Sequence, residues 1–509
     1  MRELPLEGNA LKLNIFRTDL DSTPSIVKSL HKSGMNLIAE FPSGDWTCNL
    51  YYGDGAGGAP VGWLAGLATL FPRDLVPVNQ IHFATILATK NDQAFAITYG
   101  KSHFYIRPWA DFDFGIEMAK RVADDLDIRQ TAARRFSGKE RKSIRTFSSE
   151  SRLAVESGES VDLIQGSIRK EYQSVFGSSG KFGNSMQFQS GDKIEDIGKL
   201  LDNLCSISSS DPLFKLPHTV VVTDDEEIAA LDNRLVEELR TERGTTEFVE
   251  NGFDLYGVDF TFSSTGHYEI QSGHFKAREV EALHVGVLKD YIDEKKLSDK
   301  GVLRTRVKFL RDDSPPYSQP LKEVVDFIVD DENVALSNGK WMRFNQDYLS
   351  YLNEEIRSIR VEPTEEPFLE INLPEGEFNA SEPVLAAGYQ LADKDFSKIQ
   401  VEAKTPVEAW DLQRGEVVYA VKFGTAQKLG YVCDQAINVL ELMRNRATVA
   451  AVPNFRSYCL WLGYRGQKLP ASIADSGSII LKQKIELWAR KCRNMGVEPV
   501  IKLSRRSMD

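Results

Sequence analysis

Residues 407–423 read VEAWDLQRGEVVYAVKF. Two β-rich runs, 407–412 and 417–423, flank a polar Gln-Arg-Gly-Glu stretch at 413–416, so the segment predicts two adjacent strands joined by a turn. Upstream, a helix is expected over 382–390 and a strand over 399–403. Downstream, helices are expected over 433–444 and 482–495, with a last strand over 497–503. Strands alternating with helices define an α/β domain over 361–509. An acidic, proline-bearing stretch at 362–376 reads as the linker that precedes it.

The same logic works back to the start of the chain. Strands over 11–16, 46–52, 80–88 and 93–99, with helices over 25–33 and 112–126, predict an N-terminal α+β domain at 1–150. Residues 128–160 are charged and serine-rich and read as a linker or loop. A middle α+β region spans 151–360. The expected fold class is therefore α/β (α+β) and multi-domain, in keeping with a length of 509 residues.

Composition narrows the function classes. The chain is 42% hydrophobic, which is enough to build real cores. A net charge of −12 argues against coating nucleic acid through a global field, while leaving room for a local basic groove. Five dispersed cysteines without a CxxC pair argue against structural zinc and against a disulfide framework. Neither a leader-like N-terminus nor an apolar run of membrane-spanning length is present. These features predict a cytoplasmic protein with no membrane partner.

All seven histidines lie before residue 285, so residues 360–509 contain none. A serine–histidine triad or a histidine-ligated zinc site cannot be built from this region alone. Chemistry there must use carboxylates and lysine. Carboxylates at the ends of neighbouring strands can hold Mg²⁺, and a lysine on the same face can neutralise a phosphate. That is the logic of a restriction-endonuclease-like core, in which Asp is followed by Glu/Asp-x-Lys. Two registers compete. One joins Asp393 or Asp395 to Glu402 and Lys404. The other joins Glu408 and Asp411 to Lys422, with Ala420 standing where an acid is expected. Both patterns also suit solvated strand edges carrying salt bridges.

A basic cluster (Arg129, Arg134, Arg135, Lys139, Arg141, Lys142 and Arg145) could track a phosphate backbone or belong to a solvated linker. The glycine-rich 53–58 loop lacks the Gly-Lys-Ser/Thr of a phosphate-binding loop and runs into Pro60, so it reads as a turn.

Three sets of residues carry a resemblance. FAITYG at 95–100 and DFGIEMAK at 113–120 are similar to "FALTFGYGR" and "DFGLRVALN" stretches of one bacterial family. GKWMR at 339–343 is similar to its "GKWY" strand. Glu377-Phe-Asn379, VEAWDL at 407–412 and Val421-Lys422 resemble its "E-x-YN", "IExCDLL" and "HVK" elements. This family of unknown function is sporadically distributed and often found near mobile elements and defence genes. The resemblance implies the second register, with Glu377, Glu408, Asp411 and Lys422 as the catalytic set and Glu408 and Asp411 as Mg²⁺ ligands. Where the family usually has histidine this chain has Ala420, which implies a weakened site.

The expectation is a metal-dependent nuclease or nuclease-like effector in phage defence or mobile-element conflict. In the alternative, the protein is a non-catalytic sensor that binds nucleic acid, or a phage or neighbouring-gene protein, through Arg134, Arg135, Arg141 and Lys142. An oligomer is compatible with either.

Overall fold

Alternation of apolar and polar residues from Leu11 onward builds the largest sheet of the protein. The computed structural model describes residues 11–54, 59–60, 66–67, 70, 78–79, 81–136, 142–148, 151–241, 246–248, 267–281, 283–310, 317–392, 410–444, 455–465 and 469–506. Among the sequence expectations, Lys139, Arg141, Asp393, Asp395, Glu402, Lys404, Glu408 and most of the 53–58 turn lie outside these residues.

The chain is an α+β protein with several separate sheets, divided into two compact units. The first comprises residues 1–134, 142–155 and 161–216, and the second 135–141, 156–160 and 217–509.

In the first unit, ten strands run in the order Asn36–Ser43, Trp46–Asp54, His82–Lys90, Gln93–Tyr99, Leu11–Asp19, Met186–Ser190, Ser179–Phe182, Ser160–Ile168, Ala123–Arg134 and Lys142–Thr146. The helices Phe114–Val122 and Ile197–Ser208 bury Phe114, Met118, Leu200 and Leu204 in the same core as Leu13, Ile15 and Ile97 from the sheet. Gly115 is required at one close approach: a Cβ there would lie 2.2 Å from the Gly183 carbonyl oxygen. The 128–160 linker expectation is corrected. Ala123–Arg134, Lys142–Thr146 and the start of Ser160–Ile168 are strands of the sheet. Burial of Ile128, Ala132 and Ala133 holds them there despite the charged residues between.

The second unit contains a five-stranded sheet, a four-stranded sheet and a seven-stranded sheet. The last of these positions the candidate site. Leu412–Arg414 and Val417–Gly424 form an antiparallel hairpin whose turn uses Gly415 at φ +60°. The helix Ala426–Arg444 leads to Ser457–Arg465, parallel to Val417–Gly424. The helix Ile479–Asn494 leads to Glu498–Arg506, parallel in turn to Ser457–Arg465. The central strand is buried on both faces, with Tyr458, Leu460 and Leu462 alternating against Cys459 and Trp461, as expected for parallel strands covered on both sides.

The 479–494 helix shows how local sequence sets this layer. The Ser478 hydroxyl caps its N-terminus by accepting from the Leu481 amide at 3.1 Å. Leu481, Ile485, Trp488, Ala489 and Cys492 recur at helical spacing and form its buried stripe. One apolar core joins this stripe to Phe344, Tyr348, Leu352 and Ile356. The 362–376 linker expectation is also corrected: Phe368 and Ile371 are buried, and Glu370–Ile371 pairs with Glu498–Arg506. Phenylalanine and isoleucine bury enough apolar area to hold an otherwise acidic segment on the sheet.

Among the described residues, no helix is long and apolar enough to cross a membrane.

Candidate functional site

Asp411 precedes the hairpin and is held by three hydrogen bonds, two of them to the hairpin. Its amide donates to the Tyr419 carbonyl at 2.9 Å, and its carbonyl accepts from the Ala392 amide at 2.8 Å. Its carboxylate Oδ2 accepts from the Val421 amide at 2.7 Å. A carboxylate carries about four lone-pair directions, so this bond fixes the group without exhausting it as an acceptor. The bonded amide is adjacent in sequence to Lys422, so Asp411 is anchored to the strand that carries Lys422.

Lys422 is 30% exposed, and its Nζ donates to Glu375 Oε1 at 3.1 Å. Glu375 lies on the short helix Glu375–Asn379, whose Phe378 packs edge-on against Phe423. Glu377, on the same helix, is exposed. The lysine therefore meets a different acid from the one the sequence singles out. Ala420 is 5% exposed and packed in the apolar core with Val418 and Leu460, so no polar group occupies the position two residues before Lys422.

The Mg²⁺ expectation needs Glu408 beside Asp411, and Glu408 lies outside the described residues. Among the described residues, no group of three or more His, Cys, Asp or Glu side chains could hold a metal ion. Asp411 is the single described member of the expected ligand pair. It does not make a metal site by itself.

The phosphate-tracking candidates separate. Arg134 Nε lies 2.7 and 2.9 Å from the two carboxylate oxygens of Asp162. Arg135 is buried, with its guanidinium 3.0 Å from both Glu486 and Glu156. Both arginines thus serve internal ion pairs. Lys142 is exposed and stands opposite Arg134 in the strand register.

Sequence reasoning missed a larger polar cluster. Lys502 has no exposed side-chain surface and donates to Glu362 at 2.9 Å, Glu365 at 2.5 Å and the Tyr389 hydroxyl at 2.8 Å. Its ammonium lies 4.6 Å from the Trp461 ring centroid, a cation–π contact. Arg414 donates to the same two carboxylates at 2.7 and 3.0 Å, and the Tyr419 hydroxyl donates to Glu362. Desolvation alone would raise the Glu365 carboxyl, but the bonds from Lys502 and Arg414 outweigh it and hold it at about 2. Burial above all pushes the Tyr389 and Tyr419 phenols up, so both stay protonated and act as donors. With two cations against two carboxylates, the cluster is neutral and fully paired, a structural clamp. The available signal was Lys502 at an inward position of a strand between Val500 and Ser504, both wholly buried.

The mixed sheet thus has an aspartate just before a hairpin and a lysine on it, followed by a helix and a parallel strand, the arrangement of an α/β layer. The chain belongs to the family of unknown function DUF6119, whose model matches residues 13–457. No curated protein and no solved structure matches the chain.

Proposed function

We propose that the protein is a nuclease-like effector that acts on nucleic acid in phage defence or mobile-element conflict. The observation that carries this reading is the Asp411–Val421 bond, which anchors a carboxylate to the strand that carries Lys422, on a hairpin continued by a helix and a parallel strand. In this reading the hairpin, helix and parallel strand stand for a restriction-endonuclease-like core, an analogy that does not by itself assign activity. Lys422 supplies a positive charge for a phosphate, and Asp411 supplies the anchored carboxylate. Glu408 and Asp411 together would hold Mg²⁺, and Glu377 assists from the short helix Glu375–Asn379. The test is cleavage of labelled DNA and RNA by the purified protein with Mg²⁺ or Mn²⁺. Asp411→Asn and Lys422→Ala should each abolish cutting; absence of cutting by the unaltered protein on every substrate refutes the enzymatic reading.

Ala420 favours a second reading. An apolar residue buried where the pattern calls for an acid suits a domain that binds nucleic acid, or a phage or neighbouring-gene protein, without cutting it. Retained binding by a protein that never cleaves distinguishes this reading from the first.

A further inference from the structure

The three parallel strands of the last sheet end together. Gly424 stands opposite Tyr464, Tyr464 opposite Arg505, and Arg465 opposite Arg506. Lys422 lies two residues before Gly424, and Lys428 is exposed in the first turn of the helix that begins at Ala426. Lysines and arginines from three neighbouring strands and one helix thus gather at one rim. Strands lie about 4.8 Å apart, so the row spans roughly 10 Å. That is wider than one phosphate and covers about three steps of a nucleic-acid strand, whose phosphates rise about 3.4 Å each.

One segment of the chain already lies across this row. Glu370 accepts from Arg505 at 2.8 Å, the Leu373 carbonyl accepts from Arg506, and Glu375 accepts from Lys422 at 3.1 Å. Within six residues the segment offers two carboxylates and one carbonyl to three cations, the acceptor chemistry that phosphate oxygens offer arginine and lysine. Its backbone is fixed: Glu370 and Ile371 pair with Arg505 and Arg506, and Phe368, Ile371 and Phe378 are buried. The acidic side chains remain accessible, Glu370 at 50% and Glu375 at 29%.

We infer that the 370–375 segment is a built-in mimic of a nucleic-acid backbone, which occupies the basic rim and lowers its affinity until a nucleic acid displaces the Glu370 and Glu375 side chains. This deepens the proposed function and rests on its placing nucleic acid at this end of the sheet. The segment regulates binding through its two carboxylates, because Glu370 and Ile371 fix its main chain in the sheet.

The test uses the full chain without divalent metal, so that cutting plays no part. Binding to a labelled duplex oligonucleotide is followed by fluorescence anisotropy over a series of KCl concentrations. In Glu370→Gln/Glu375→Gln, Arg505 and Lys422 become available to two phosphates. Binding should tighten, and the slope of log affinity against log salt should steepen by about 1.8. Arg465→Ala/Arg506→Ala should weaken binding and flatten the slope. Glu375→Gln alone, with thermal unfolding of each variant, keeps the test valid if the double variant folds poorly. Unchanged affinity and slope in the glutamine variants, beside weakened binding in the arginine variant, overturns the mimic and leaves the nucleic-acid reading standing. No binding by any form overturns both.

Discussion

Replacing Arg135 with methionine tests whether the basic cluster of the sequence is a binding surface or a structural device. The Arg135 guanidinium lies 3.0 Å from Glu486, 3.0 Å from Glu156 and 3.8 Å from Glu159. Arg490 also reaches Glu156 and Glu486, and the Gly158 carbonyl accepts from the buried Tyr348 hydroxyl. Three carboxylates thus share these two guanidiniums. Desolvation pushes the Glu486 carboxyl up to about 7, against the pull of Arg135 and Arg490. A carboxyl raised in the folded state binds a proton that the unfolded chain has released. The contribution of Glu486 to stability therefore falls as pH rises from about 4.5 to about 7 and is level above that. The total change approaches about 3 kcal/mol, since each tenfold change in proton affinity is worth about 1.36 kcal/mol. Arg135→Met takes a guanidinium away from a site where Glu159 and Glu486 are each 2% exposed. Breaking a buried pair from one side costs about 3–5 kcal/mol, and the loss should be largest at about pH 8 and shrink in acid as the carboxyls take up protons. Urea unfolding followed by tryptophan fluorescence reads it, since Trp488 lies two residues from Glu486 on one helix. Hydrogen exchange across 479–494 localises it. A loss below about 1 kcal/mol at pH 8, with weakened nucleic-acid binding, would refute the reasoning and place Arg135 against phosphate.

Lys502→Met should destabilise the second unit by about 3–5 kcal/mol, and adding Glu362→Gln and Glu365→Gln should recover much of the loss; thermal unfolding of the variants checks both. Glu365 is held at about 2, below its ordinary value, so the stability it contributes is present above about pH 4.5 and is lost as pH falls toward 2; acid titration of unfolding should lose that component in Glu365→Gln. Gly115→Ala should destabilise the first unit by at least about 1–3 kcal/mol, because its Cβ would meet two carbonyl oxygens near 2.2 Å; hydrogen exchange of the 114–122 helix reads the effect. Burial pushes the Cys433 and Cys492 thiols up, so neither should react with an alkylating reagent at neutral pH until the protein is unfolded; rapid labelling of native protein would refute the packing of the two helices.

The α+β class is legible in the amino-acid order alone, and so are the elements with strong period: the strand beginning at Leu11, the 417–424 strand, and the two helices that flank the last parallel strands. Their apolar spacing carries the information locally, and the pairing of Asp411 with the Lys422 hairpin follows from adjacency along the chain. Charge misleads where the partner is distant. Residues 128–160 and 362–376 look like linkers because they are rich in ions, yet buried Ile128, Ala132, Phe368 and Ile371 hold them in sheets. Arg135 looks like a phosphate contact until Glu486, 351 residues away, is seen beside it. Lys502 pairs with Glu362 across 140 residues, and Lys422 with Glu375 across 47. Which acid meets which base is settled by the tertiary fold, because a charge interacts through space and its sequence neighbours carry no record of that distance.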